Sequence, residues 1–228
     1  MAGRFQGKRA LVLGVANRRS IAWAIARRLR EEGAELAFTY QGERIEQTVR
    51  DLAASVDAKL VTECDVRSDA DVERVFAEIA DAFGGGLDVL VHSVAYAAAE
   101  DLEGRFTDTP RDRFWLAVDI SAYSLVACAR AAEPLMAASG GGAIVTMTYL
   151  GGERAVESLG VVEFAPDHVQ ARLHHAPGQA RGVVGEQRIP ADRFERHVRS
   201  RARGISPLGG AGQGQVVLFH VTANAEWS

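Results

Sequence analysis

A doubly wound α/β domain, with helices on both faces of a parallel sheet, is the fold this sequence predicts. Three observations carry that prediction. Short apolar runs alternate with stretches of helical periodicity from the first residues onward. The runs are apolar throughout, as strands covered on both faces are, rather than on every second position. Glycines and capping residues stand where one kind of segment gives way to the next.

The elements follow in order. Arg9 to Gly14 (RALVLG) reads as a buried strand. Ser20 to Gly33 reads as a helix, with Ile21, Ala24, Ile25 and Leu29 at helical spacing and Gly33 at its C-terminal cap. Ala34 to Thr39 is a second strand, and Gly42 to Val56 a second helix with Ile45, Val49, Leu52 and Val56 on one face. Lys59 to Cys64 is a third strand. Asp69 to Phe83 is a third helix, capped by Ser68 or Asp69 and broken by GGG at 84–86. Leu87 to His92 is a fourth strand. A long helix runs from about Arg111 to Ala138, GGG at 140–142 ends it, and Ala143 to Thr148 is a fifth strand. Beyond Glu153 the periodicity weakens. Pro190 to Arg203 reads as a basic helix and Gln215 to Thr222 (QVVLFHVT) as a strand.

Composition narrows the function classes. The chain has 228 residues, 47% hydrophobic and 25% charged, which suits one globular α/β domain with a real core. The net charge of -4 gives no basic footprint for nucleic acid or an anionic membrane. Two cysteines, Cys64 and Cys128, are too few for a disulfide framework and lack metal-ligand spacing, so they read as buried apolar residues. The N-terminal stretch lacks the pattern of a signal peptide, and no run of apolar residues reaches the length of a membrane span. These readings predict a cytoplasmic protein with no membrane or nucleic-acid partner.

The strand ends carry the chemistry. In doubly wound folds the first strand-to-helix turn holds a dinucleotide's pyrophosphate on backbone N–H groups, which needs small residues so that the backbone can come close. Here that turn offers Gly14, Ala16 and Ser20 instead of three glycines. Asp65 follows the third strand, where a carboxylate can accept from an adenine amino group. Ser93, Val94 and Ala95 follow the fourth. After the second strand comes Tyr40-Gln41-Gly42: no acid stands there for a ribose 2′-hydroxyl, and no arginine directly follows for a 2′-phosphate, although Arg44 is near. Spacing therefore leaves NAD and NADP both open.

Several blocks carry a resemblance. They are GVANRRSIA after the first strand, GAELAFTYQ, CDV at 64–66, HSVAYA at 92–97, DISAYS at 119–124 and TYLGGERAV at 148–156. In this order they resemble the bacterial-type enoyl-acyl-carrier-protein reductases, divergent members of the short-chain dehydrogenase/reductase family. The resemblance implies a Rossmann-type fold, an NADH cofactor and often a homotetramer. It also implies reduction of a trans-2-enoyl thioester on acyl carrier protein during fatty-acid elongation. Carried over by position, Gly14, Ser20, Ile21, Gln41, Asp65, Val66 and Val94 line NAD, Ala97 touches substrate and Tyr149 is the first of two active-site tyrosines. The chain then divides into a 1–156 NAD-binding portion and a 157–228 divergent tail within a single domain.

The family pattern continues Tyr-x9-Tyr-x6-Lys. Counted from Tyr149 those positions hold Leu159 and Pro166, and no tyrosine or lysine follows Tyr149. The tyrosine hydroxyl would stabilise the enolate that hydride addition creates, and the lysine would fix the nicotinamide ribose. The family's sixth and seventh strands are expected to be absent or altered, which would leave one sheet edge bare. His168, His174, His175, His197 and His220 populate the tail, but adjacent His174 and His175 diverge on a helix, and no metal site is expected. Arg193, Arg196, Arg199, Arg201 and Arg203 read as a solvated basic face. Two further readings stay open: a non-catalytic dinucleotide-binding protein, and an inactive frameshifted or fused product.

Overall fold

The computed structural model of the chain describes residues 3–101, 106–149, 188–190 and 215–224. Seven parallel strands form one sheet in the order β3-β2-β1-β4-β5-β7-β6. In chain order these are β1 (Arg9–Leu13), β2 (Glu35–Tyr40), β3 (Leu60–Glu63), β4 (Val89–His92), β5 (Gly141–Tyr149), β6 (Arg188–Pro190) and β7 (Gln215–Asn224). The helices are α1 (Ile21–Glu31), α2 (Glu43–Ala54), α3 (Asp69–Phe83), α4 (Arg111–Val118) and α5 (Ser124–Ala138). The chain reverses direction across the sheet between β3 and β4, which puts a crevice at the strand ends beside β1.

Each face of the sheet has its own core. On one side Trp23, Ile25 and Leu29 of α1 and Val49 and Leu52 of α2 bury against Val12, Leu36 and Phe38, with Trp23 tilted onto Phe38 at 6.2 Å. On the other, Val72, Val75, Phe76 and Ile79 of α3 meet Leu125, Cys128, Ala132 and Met136 of α5 over Leu11, Leu90 and Ile144. The helical stripes read from spacing are these buried faces. Ser68 is the cap of α3, its hydroxyl accepting from Asp71 N–H at 3.2 Å, and Gly84 closes the helix at φ 65°. Both cysteines are buried, and burial pushes the thiols of Cys64 and Cys128 up to about 11 and about 12, so both stay protonated at neutral pH.

Three expectations change. The edge of β5 is not bare: β7 pairs with it from Gly141↔Gln215 to Tyr149↔Ala223, and β6 lies outside β7. QVVLFHVT is β-branched and apolar enough to take up the open N–H and C=O groups of β5. The basic helix expected from Pro190 does not begin there, because Pro190 closes β6, and residues 191–203 lie outside the described residues.

The long helix is the third. A π turn at Asp119–Tyr123 interrupts it between α4 and α5. The segment Arg111–Ala138 is also long and apolar enough to cross a membrane by length and composition. Charges at Asp119, Arg130 and Glu133 hide this from a run-by-run reading. In the fold its residues Ile120, Leu125, Ala127, Cys128, Ala132 and Met136 are buried, while Arg130 and Glu133 are exposed.

At the far end of the sheet, Asp88 ties three segments together. Its carboxylate accepts from Lys8 Nζ at 2.8 Å and from Arg9 N–H and Nε, each at 3.0 Å. Arg9 continues to the Phe83 carbonyl and to Ser139 Oγ. Burial alone would raise the Asp88 carboxyl, but the bonds from Lys8 and Arg9 hold it below the usual carboxylate range. Asp88→Ala leaves Arg9 partly buried without its carboxylate partner. The expected loss is about 2–4 kcal/mol, read by urea unfolding at pH 7.

Candidate functional site

The C-terminal ends of β1, β2, β3, β4 and β5 form one edge, and the registers fix how they align. Leu13 is opposite His92, Tyr40 opposite Glu63, and His92 opposite Thr146. Gly14, Gln41, Asp65, Ser93 and Tyr149 all follow or end these strands, so the fold brings them to the same edge.

Gly14 is the tightest point. Its φ is 91°, and a Cβ built there would lie 1.8 Å from the Ser93 carbonyl oxygen and 2.6 Å from its carbon. Ser93 N–H in turn donates to the Leu13 carbonyl at 3.3 Å. The two strand ends therefore cross backbone to backbone, and only glycine fits.

The turn from Gly14 to Ser20 braces itself. Asn17 Oδ1 accepts from Arg19 N–H at 2.8 Å, and Ser20 Oγ donates to the Asn17 carbonyl at 2.7 Å. Ser20 sits at the N-cap of α1 in extended conformation with no side-chain cap bond, and the first turn of α1 holds no acid. Its first N–H groups are thus not capped by a side chain, and Arg18 and Arg19 stand exposed beside them. That is an electropositive helix start suited to an anion. Ala16, Ser20 and Ile21 are half-buried along this turn, and Val15 is buried beneath it.

Along the edge, Gln41 is exposed at the end of β2. Asp65 is held by Arg67, whose N–H and Nε both donate to Oδ1 at 3.0 Å and whose Nη2 donates to Oδ2. The hydrogen bonds from Arg67 hold the Asp65 carboxyl below its ordinary range, so it is an anion with acceptor positions left over. Val66 is buried in the core, whereas Ser93 and Val94 are half-buried.

The loop after β4 is fixed by residues that sequence reasoning did not single out. Ser121, in the π turn, accepts from Tyr96 N–H at 3.0 Å and donates to the Tyr96 carbonyl at 3.3 Å. Ser124 Oγ contacts His92 Nε2 at 2.8 Å and donates to the Ile120 carbonyl at 2.6 Å. The π turn thus pins Tyr96, and the first residue of α5 pins His92, so the loop is held at both ends, with half-buried Ala97 directly after Tyr96. His92 is 1% exposed, and burial pushes its imidazole down to about 4, so it is neutral. The DISAYS block marked this segment, but no periodicity signals a π turn. Tyr149 ends β5 opposite Ala223. Leu159, Pro166, His168, His174, His175, His197 and the five tail arginines lie outside the described residues, while His220 falls in β7 opposite Thr146. Among the described residues no His, Cys, Asp and Glu grouping could hold a metal.

Comparison with known proteins shows what the whole chain is similar to. A family model described as Enoyl-(Acyl carrier protein) reductase matches residues 14–170. The chain is 44% identical over 172 residues to the enoyl-[acyl-carrier-protein] reductase [NADH] FabI of Bacillus subtilis, covering 75% of this chain and 66% of that protein. It is 46% identical to the Bacillus cereus FabI over the same span and shares. The matched part is thus just under two thirds of these relatives' length. Among solved structures, the NADH-dependent enoyl reductase of Aquifex aeolicus VF5 superposes with a TM-score of 0.75 at 36% identity, covering 95% of this chain and 96% of that one. The reductase of Anaplasma phagocytophilum, solved in complex with NAD, gives a TM-score of 0.71 at 37% identity, covering 75% of this chain and 64% of that one.

Proposed function

This chain belongs to the enoyl-(acyl carrier protein) reductase family, and on that premise we propose that it binds NADH at the C-terminal edge of its sheet and reduces trans-2-enoyl thioesters on acyl carrier protein. The observation that supports the binding best is the backbone crossing at Gly14 and Ser93, a cradle that any Cβ would fill. In this reading the start of α1, with the Ile21 N–H and Ser20, holds the pyrophosphate, and Gly14 and Ala16 leave room for it. Gln41 lies by the adenosine, and Asp65 accepts from the adenine amino group beside Val66. Ser93 and Val94 line the nicotinamide end, Ala97 meets the acyl substrate, and the Tyr149 hydroxyl supplies a hydrogen bond to the thioester oxygen. The bound cofactor supplies the hydride. The same reading makes the chain a cytoplasmic homo-oligomer.

Leu159 and Pro166 stand where the family's pattern has its second tyrosine and its lysine. Losing one oxyanion donor typically costs about 10²–10³ in kcat. We therefore expect turnover at least about 10²-fold below that of a family member carrying both residues. The same two positions favour a second reading, a dinucleotide-binding protein without chemistry. Loss of NADH absorbance with a crotonyl thioester separates the two. Slow but saturable turnover supports the enzyme. NADH binding with no turnover supports the second reading, and full family-level turnover contradicts the assignment of the missing groups.

A further inference from the structure

The strand-end residues leave the choice between NADH and NADPH open, because neither an acid nor an arginine directly ends β2. We propose that Glu63, at the end of the neighbouring strand β3, supplies the missing acid and makes the adenosine end of the site select against a 2′-phosphate. The proposal rests on the NADH-binding reading above and assigns one residue to its specificity.

The geometry comes from the register. Tyr40 and Glu63 are opposed at the ends of β2 and β3, so Glu63 reaches the next turn of its neighbour. There the Gly42 N–H donates to Glu63 Oε1 at 3.2 Å. Gly42 is the N-cap of α2, at φ 77°, and Gln41 precedes it. The carboxylate is thus brought to the turn where dinucleotide folds place an acid for the ribose 2′-hydroxyl, although it lies 21 residues away from Gly42 in sequence. Glu63 is exposed, and a carboxylate oxygen that takes one N–H keeps a lone pair for a hydroxyl donor.

A 2′-phosphate meets the opposite conditions. It would need donors at this turn, and the Gly42 N–H is already directed at Glu63. It would need cations, yet Glu43 and Glu46 occupy the first turn of α2. Arg50 is engaged by Glu46 at 2.8 Å and by the Tyr40 hydroxyl at 3.3 Å, and it lies 5.4 Å from the Tyr40 ring centre. With Arg50 and Glu46 offsetting each other, Arg44 is exposed nearby as one cation against Glu43 and Glu63. A phosphate monoester carries about -1.5 to -2 charges at pH 7, so each carboxylate at this turn repels it while leaving a neutral hydroxyl unopposed.

The test is titration of the full chain with NADH and with NADPH, followed by nicotinamide fluorescence, for the parent, Glu63→Gln and Glu35→Gln. Glu35 lies at the other end of β2, beside Lys59, and serves as a control for net charge. The parent is expected to bind NADH more tightly. In Glu63→Gln the ratio of the NADPH to the NADH Kd should fall roughly tenfold, with NADH binding kept as proof of folding. In Glu35→Gln the ratio should not move. A ratio within about twofold of the parent in Glu63→Gln, or an equal shift in Glu35→Gln, overturns the assignment of Glu63 while leaving the NADH reading intact. Failure of the folded parent to bind either nucleotide overturns the NADH reading, and this inference with it.

Discussion

Gly14→Ala is expected to abolish NADH binding and to lower stability by roughly 3 kcal/mol or more, the range of a steric fault in a close-packed core. Two costs add. The left-handed backbone at φ 91° disfavours any Cβ, and that Cβ would sit 1.8 Å from the Ser93 carbonyl oxygen. The obstacle is backbone, so no rotamer change relieves it. β1 and β4 would have to separate at the very edge where the cofactor is proposed to lie. Gly7→Ala isolates the first cost. Gly7 also has positive φ, 74°, but nothing lies within 4 Å of its added Cβ. It should lose only about 1 kcal/mol and keep NADH binding. Urea unfolding and NADH titration of both variants check the pair. Equal losses in the two would mean that the crossing at Ser93 is not the constraint.

The second large effect is a pH dependence set by His92. Its imidazole ordinarily titrates at 6.5, and burial lowers it to about 4 in the fold. Above pH 6.5 both folded and unfolded chains hold it neutral, and it adds no slope. Between pH 6.5 and about 4 the unfolded chain takes up a proton that the folded chain refuses, so stability falls as pH falls. By pH 4 the loss should be on the order of 3 kcal/mol. The Asp88 carboxyl acts lower still, since its stabilisation is lost only as pH drops below the ordinary carboxylate range. His92→Gln retains a donor toward Ser124 and removes the titration. Unfolding free energies at pH 7, 6, 5 and 4.5 should slope in the parent and flatten in the variant. Parallel curves would assign the slope to other groups.

The elements of the first 149 residues were legible because the two signals that mark them, apolar runs and helical spacing, are local. The ends of α1, α3 and β1 fall within a residue or two of the readings from Gly33, GGG at 84–86 and Gly14. What escaped were relations between residues far apart in sequence. Glu63 reaching Gly42, Ser121 clamping Tyr96 and Ser124 meeting His92 all depend on strand register or on a π turn, and no period in the sequence encodes either. Arg67 was likewise passed over beside Asp65, although its two-residue spacing made the pair the easiest of these to anticipate. The tail misled for a different reason. Its blocks fail to match the family, yet QVVLFHVT is enough strand on its own to pair with β5, because an edge asks for extended backbone and apolar side chains rather than for particular residues.

The strand-end edge is proposed to be a working dinucleotide cradle. Titration of the folded full chain with NADH, read by calorimetry, tests it most directly. Saturable binding of one NADH per chain is expected, lost in Gly14→Ala and retained in Gly7→Ala. A cooperatively folded protein that binds no NADH would contradict it.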